Sequence, residues 1–387
     1  MLFTGLRGFA GAGKSVLSST IIQYTFRHRR GNPRIGIAFF YFTFNDESKQ
    51  DTSAMLRALI QQLASQLKNQ QGGPVSRLHQ SCRGATPSNQ AILDCFRQLV
   101  QNFDDVYIVL DALDESPRHK HREDLLQALQ DIRGWSEPGL HLLVTSRDAQ
   151  DIREKLKLPD EDIIPMNSSS IDEDIASYVS HHLKDRLQGW ERFHDQIERA
   201  LTEGAKGVFR WVECQFSALE ACPRSKSRLD ALLRSLPRNL YETYERMLSN
   251  IDKESEADAI RMLTLLCTAR RPLTVEELID SIAVELGDNP QFNEDSRLMN
   301  GADDIRRICP GFIELDLSPK NGGTTVRIAH YSVQEYLESD RIRSSATAQY
   351  AVDREHANNA VALICLIYLL HPGFRDAWLH PAFRDQM

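Results

Sequence analysis

What this chain lacks narrows its class. Its seven cysteines (Cys82, Cys95, Cys214, Cys222, Cys267, Cys309 and Cys365) are scattered, odd in number and contain no C-x-x-C pair. That argues against a disulfide framework or a zinc site and fits reduced thiols, so a cytoplasmic location is expected. The longest strongly apolar run, Ala360 to Leu370, is about half of what a bilayer-spanning helix needs. No charged-then-apolar leader is expected, because Met1 runs straight into a glycine-rich motif. Positive charge is in deficit: 46 Lys and Arg face 54 Asp and Glu, a net charge of -8, which provides no overall field to hold DNA or RNA. A G-x-S-x-G elbow, a local cysteine-nucleophile signature, an internal repeat and a low-complexity tract are all missing. The expectation is a protein with no membrane span and no nucleic-acid partner.

What is present is ordinary globular composition, 41% hydrophobic and 26% charged, in a chain of 387 residues. That length exceeds one compact core and implies two or three domains. Residues 1–157 alternate strand and helix signals. Ile35 to Phe42, Val106 to Leu110 and Leu140 to Thr145 are apolar runs suited to strands buried on both faces. Between them, Ser53 to Leu67 and Ala91 to Val100 carry helical stripes, and Gly72-Gly73-Pro74 and Thr86-Pro87-Ser88-Asn89 read as turns. The pattern predicts a parallel sheet with flanking helices.

From residue 158 helices dominate. Ser170-Ile171-Asp172-Glu173, Thr274-Val275-Glu276-Glu277 and Ser332-Val333-Gln334-Glu335 each have the spacing of a capping box. Two strand-like segments, Gly311 to Leu315 and Thr325 to Ala329, are joined across Asn321-Gly322-Gly323. Helices followed by such a pair predict a winged-helix-like module. The expected division is an α/β core at 1–157, a small helical domain at 158–235, a winged-helix-like domain at 236–345 and a helical tail at 346–387.

The chemistry is concentrated in the first part. Gly8-Phe9-Ala10-Gly11-Ala12-Gly13-Lys14-Ser15 matches G-x-x-x-x-G-K-[ST], the P-loop. Gly8, Gly11, Ala12 and Gly13 let backbone N–H groups curl around a phosphate, and the helix opening at Lys14, with Val16 in its first turn, aims its positive end there. Lys14 is placed for the β- and γ-phosphates of a nucleotide, and the Ser15 hydroxyl for Mg²⁺. The strand Val106 to Leu110 closes in Asp111-Ala112-Leu113-Asp114-Glu115. Asp111, at the strand end, is the second expected Mg²⁺ ligand; one of Asp114 and Glu115 can orient or deprotonate an attacking water. A third strand ends in Arg147, a cation suited to sensing the γ-phosphate and stabilising charge during transfer.

These three strings resemble the NACHT domain of the STAND class of signal-transducing P-loop NTPases. Further segments resemble the fungal, NLR-like members of that family. They include Phe44 to Gln50, Gly207-Val208-Phe209-Arg210-Trp211, Leu236 to Arg246, Arg271-Pro272-Leu273-Thr274 and Ala329 to Leu337. The resemblance implies a conformational switch: ADP holds a closed form, and exchange for ATP opens it for self-association. It implies slow, regulatory hydrolysis, and His330 as a contact to the ADP β-phosphate. In that family ankyrin or similar repeats often follow, and none is legible before Met387. Two local departures stand out. The segment before the loop, Leu2 to Arg7, is short and interrupted by Gly5. Val208-Phe209 stands where many relatives have a proline that packs on adenine.

Other candidates are weaker. His119, His121, His181 and His182 sit in charged, solvated contexts without partner cysteines. Around the winged-helix-like segment, arginines interleave with acids, so no basic recognition stripe emerges for DNA. Two readings from different classes stay open: a nucleotide-dependent switch, and a P-loop ATPase turning over quickly in mechanical or chaperone work. A degenerate scaffold is disfavoured by intact Lys14, Ser15, Asp111 and Glu115.

Overall fold

The computed structural model describes residues 2–8, 10–67, 72–82, 85–118, 121–166, 169–287, 289–316 and 323–371. The chain divides into two compact units, Met1–Leu233 and Arg234–Met387.

The first unit runs β1 (Leu2–Gly8), α1 (Lys14–Arg29), β2 (Ile35–Tyr41), α2 (Thr52–Ser65), α3 (Pro74–Cys82), α4 (Asn89–Val100), β3 (Asp105–Asp111), α5 (Arg122–Gly134), β4 (Leu140–Ser146), α6 (Gln150–Leu156) and β5 (Ile163–Met166). Then come α7 (Ser169–Arg186), α8 (His194–Ala205), α9 (Phe209–Glu220) and α10 (Lys226–Arg234), whose last residue passes the division between units. The five strands form one parallel sheet in the order β2-β3-β4-β1-β5. Two turn segments of the sequence also open helices: Pro74 begins α3, and Ser88 is the N-cap of α4, accepting from Ala91 N.

Two sheet features differ from the sequence expectation. The glycine-interrupted segment before the loop is a full seven-residue strand in the sheet interior, between β4 and β5. Gly5 fits because a Cβ there would come within 2.8 Å of Leu158 Cδ1. The sheet also continues past residue 157. β5 pairs with β1, but it is only four residues long, contains Pro165 and leaves Ile164 50% exposed. An edge strand of that kind carries almost no periodic signal.

At the opposite edge, β2 is closed by side chains from α2. Gln66 accepts from Ile37 N at 3.0 Å and donates to Ile37 O at 2.6 Å; Gln62 does the same for Phe39 at 3.0 and 2.9 Å. Two glutamines one helical turn apart thus satisfy alternate residues of the strand, which blunts an otherwise open edge.

The second unit contains α11 (Leu240–Ser249), α12 (Glu256–Thr268), β6 (Leu273–Thr274), α13 (Val275–Ile282), β7 (Val284–Glu285) and β8 (Gln291–Phe292). It continues with α14 (Ala302–Ile308), β9 (Ile313–Asp316), β10 (Thr325–Ile328), α15 (Tyr331–Glu338), α16 (Asp340–Arg343) and α17 (Arg354–Leu370). The strand pair is present as antiparallel β9–β10, with β6 added on the other side of β10. This is the helical and winged-helix part of the fold. Its expected turn at Asn321 and Gly322, and the tail beyond residue 371, lie outside the described residues.

Of the three capping boxes, Thr274–Glu277 forms in full. Ser170 lies on a side chain outside the described set. At the third site the cap is His330, not Ser332: its Nδ1 accepts from Ser332 N at 3.1 Å, and α15 begins one residue later. Ser332 is instead buried inside the first turn, its hydroxyl paired with Tyr244 Oη at 2.7 Å.

Candidate functional site

The carboxyl ends of β1, β3 and β4 bring the three chemical motifs together. Gly11 and Gly13 have positive φ, 79° and 85°, and Gly13 caps α1 from the left-handed region. Glycine adopts that backbone without penalty and exposes its N–H groups to the loop centre. A Cβ on Gly8 would meet Met166 Cβ at 2.7 Å, so the start of the loop is closed against β5. Lys14 Nζ donates to Gly8 O at 3.0 Å, folding the ammonium across the loop. Burial pushes the Lys14 pKa down, partly opposed by the nearby Asp114 charge. Ala12 is buried, whereas the Val16 side chain is 72% exposed, so any part Val16 takes in the loop falls to its backbone.

Asp111 is 2% exposed and accepts three hydroxyl bonds. Ser15 Oγ donates at 2.6 Å, Ser18 Oγ at 2.6 Å and Thr145 Oγ1 at 2.7 Å. Thr145 Oγ1 in turn accepts from Ala112 N at 2.9 Å, steadying an alanine held at φ 59°. The carboxylate thus sits directly behind the P-loop hydroxyl.

Asp114 and Glu115, adjacent in sequence, have different surroundings. Both Asp114 oxygens are taken by Arg147: Oδ1 accepts from its backbone N at 3.0 Å and Oδ2 from its Nε at 2.6 Å. Glu115 Oε2 accepts an amide, Phe44 N at 3.2 Å. Burial, then the Asp114 charge, push the Glu115 pKa up to about 8, although the Phe44 amide works the other way. The buried Arg122 supports the turn that carries both acids. It donates to the carbonyls of Asp114 and Ser116, and to Asp151 Oδ2 at 3.0 Å.

The small helices of the same unit reach the loop. Arg210 N donates to Gly11 O at 3.4 Å, and a Cβ on Gly11 would strike Arg210 Cβ at 2.7 Å and Val208 Cγ1 at 3.1 Å. The Phe209 ring lies beside Gly13 and meets Tyr178 edge-on at 5.6 Å between centroids. Val208, Phe209, Arg122, Ser18 and Thr145 were not singled out as site residues by spacing. Only Ser18 carried a local signal, lying one helical turn beyond Ser15.

His330 belongs to the second unit, where its Nδ1 is the helix-cap acceptor and also lies 2.7 Å from Ser332 Oγ. An accepting Nδ1 places the neutral ring's proton on Nε2. His181 is exposed and pairs with Asp185 at 3.6 Å, while His182 packs on Tyr178. Among the described residues no group of three or more His, Cys, Asp or Glu could hold a metal ion by itself.

Two families match the chain in separate stretches. One is described as nephrocystin 3, N-terminal, over residues 3–147; the other as GPI inositol-deacylase, winged helix domain, over residues 244–353. The vegetative incompatibility protein HET-E-1 of Podospora anserina is 27% identical over 370 residues, 89% of this chain and 25% of its own length. These matches support the resemblance to NACHT-type fungal P-loop NTPases. A second relative, azaphilone pigments biosynthesis cluster protein L of Monascus ruber, is 43% identical over 155 residues, 40% of the chain and 33% of the relative. The chain therefore spans a third or less of the length of these two relatives. Solved structures are more distant. The Aeropyrum pernix ORC2 protein in ADPNP–ADP complexes has a TM-score of 0.38 at 12% identity, covering 95% of this chain and 88% of that one. A Walker-type ATPase of Pyrococcus abyssi has 0.35 at 13%, covering 86% and 90%. Likeness at this level adds nothing on function.

The acidic pair yields a prediction about nucleotide-free protein. A carboxyl raised from the ordinary range to about 8 contributes stability that is complete below its unfolded pKa and is lost as pH rises through 8. Glutamine at 115 has no such dependence. Urea melts at pH 5, 7 and 9 should therefore show the wild type losing ground to Glu115→Gln as pH rises, by about 1.4 kcal/mol per unit at most. Parallel curves would mean that Glu115 is not perturbed in the folded protein.

Proposed function

We propose that this protein is a nucleotide-dependent switch. It binds ATP or ADP with Mg²⁺, hydrolyses ATP slowly, and changes its self-association with the nucleotide state. The observation that carries the reading is the Ser15–Asp111 pair, 2.6 Å apart beneath a loop with two left-handed glycines. A hydroxyl and a carboxylate so placed, without a full protein cage, suit a magnesium ion that takes its remaining ligands from phosphates and water. Bound there, Mg²⁺ would neutralise phosphate charge. Lys14 would hold the phosphates, Glu115 would orient or deprotonate the attacking water, and Arg147, braced by Asp114, would sense the γ-phosphate. The relative named for vegetative incompatibility supports placing the switch in fungal incompatibility or NLR-like signalling.

The deciding experiment is the nucleotide content of purified protein. Stoichiometric, slowly released ADP supports the switch. An empty site with rapid multiple turnover supports the alternative of mechanical or chaperone-type work.

The latch proposed for His330 has its own test. A charge-assisted bond from Nε2 to the ADP β-phosphate would contribute about 1.5–3 kcal/mol, a preference of roughly tenfold to a hundredfold. Alanine at 330 also removes a helix cap, which costs about 1 kcal/mol by itself. Asparagine keeps a cap acceptor but shortens the donor. His330→Asn should weaken ADP binding tenfold or more, leave ATP binding within about twofold, and keep the melting temperature near wild type. An unchanged ADP-to-ATP preference would reduce His330 to a helix cap.

A further inference from the structure

Beyond the Phe44 amide, the segment Phe42 to Gln50 has no part in the site as described so far, yet it is tied to the acidic strand end and turn at three points. Phe42 N donates to Asp111 O at 3.1 Å, Phe44 N to Glu115 Oε2 at 3.2 Å, and buried Ser116 Oγ to Gln50 O at 2.9 Å. Within the loop, Asp46 caps the short 3₁₀ turn Glu47–Lys49, and Thr43 N donates back to Lys49 O at 3.4 Å.

The Gln50 side chain closes this loop from inside. It is 9% exposed, and its Nε2 donates to Thr43 O at 3.2 Å and to Phe44 O at 3.0 Å. The first of these bonds has a directional consequence. A trans peptide is planar, with its C=O and N–H on opposite sides. Holding the Thr43 carbonyl toward Gln50 turns the amide of the same peptide, Phe44 N–H, the opposite way. There it meets Glu115.

We propose that Gln50 is a positioning residue for hydrolysis: by fixing the Thr43–Phe44 peptide it aims the Phe44 amide at Glu115 and sets the orientation of that carboxylate. The inference rests on the proposed role of Glu115. The charged groups around that carboxylate are Asp114, Asp111, Lys14 and Arg147, and none of them changes when Gln50 is replaced. The Phe44 amide is the contact that Gln50 controls, and it favours the ionised carboxylate.

Gln50→Met keeps the length of the side chain and removes the donor. Single-turnover ATP hydrolysis should fall about tenfold, the size expected for one hydrogen bond to a charged group. ATP and ADP affinities should stay within about twofold, because the Gln50 side chain bonds the Thr43 and Phe44 carbonyls and not the P-loop. The rising limb of the pH–rate profile should move to higher pH. A second readout needs no turnover: a double-mutant cycle of Gln50→Met with Glu115→Ala in urea melts should be non-additive. If Gln50→Met does not fold, Ser116→Ala releases the same loop from its other end and should give the same pattern. If Glu115→Gln leaves hydrolysis unchanged, the role of Glu115 fails and the inference falls with it. If Glu115→Gln abolishes hydrolysis while Gln50→Met keeps the wild-type rate, pH profile and additive melts, the inference alone is overturned.

Discussion

Glu115→Gln is expected to lower single-turnover ATP hydrolysis by about 10²–10⁴-fold, the usual contribution of a positioned general base, with little change in nucleotide affinity. Two neighbouring carboxylates could take the role, and their surroundings separate them. Asp114 has both oxygens engaged by Arg147, at 3.0 and 2.6 Å, and its backbone carbonyl is held by Arg122. A carboxylate in that position braces an arginine. Glu115 accepts one amide and has a pKa raised to about 8, nearer the pH at which proton transfer from water is efficient. Glutamine preserves its volume and one acceptor oxygen, so the loop that holds the nucleotide should be undisturbed. The measurement is a rapid-quench time course with enzyme in excess, paired with ADP and ATP binding isotherms. A wild-type hydrolysis rate in the variant would move the role to Asp114 or to another group. Asp114→Asn would then be the next variant, and a loss there without Glu115 involvement would reverse the assignment.

How much of this was legible in the sequence depends on the range over which each signal acts. The P-loop and the acidic strand end are contiguous strings, and the 2.6 Å Ser15–Asp111 bond joins the two residues that spacing had paired with Mg²⁺. The buried strands β2, β3 and β4 were visible because each is an unbroken apolar run. β5 was missed because its four residues include a proline and lie at an edge. β1 looked poor because Gly5 interrupts it, yet the missing Cβ is what lets Leu158 pack there.

Long-range partners left no local trace. Phe209 and Arg210 lie beside Gly13 and Gly11 across nearly two hundred residues of sequence. Their string was recognisable only as a resemblance, without a place in space. The cap at His330 shows how a pattern can point to the wrong residue. Ser332-Val333-Gln334-Glu335 has the spacing of a capping box, but Tyr244 takes the Ser332 hydroxyl, and an imidazole nitrogen two residues earlier does the capping. The same contact explains two recognisable strings of the second unit: the segment carrying Tyr244 and the segment carrying His330 meet in one buried cluster with Phe312 and Tyr336.

Lys14→Ala should remove most of the stabilisation that nucleotide confers. At free Mg²⁺-nucleotide 100 times the wild-type Kd, binding to the folded state alone raises stability by about 2.7 kcal/mol. A hundredfold weaker variant at the same concentration would keep only about 0.4 kcal/mol. The large loss is expected because Lys14 is the one P-loop side chain that brings positive charge to the phosphates, and the site places that charge among Asp111, Asp114 and Glu115. Without Lys14, phosphates would face three acids, and the nearby Arg147 is already engaged with Asp114. The cost to the empty protein should be small. Lys14 Nζ donates to Gly8 O at 3.0 Å, and burial lowers its pKa, so holding the ammonium charged in the empty protein carries a desolvation cost that its removal relieves. Lys14→Met keeps the aliphatic stem and removes only the charge, so it should match alanine in the nucleotide-dependent melt. If methionine retained the full increment, packing of the stem would be holding the nucleotide. An equal shift in wild type and both variants would show that the nucleotide binds away from this loop, and the switch reading would fall with it.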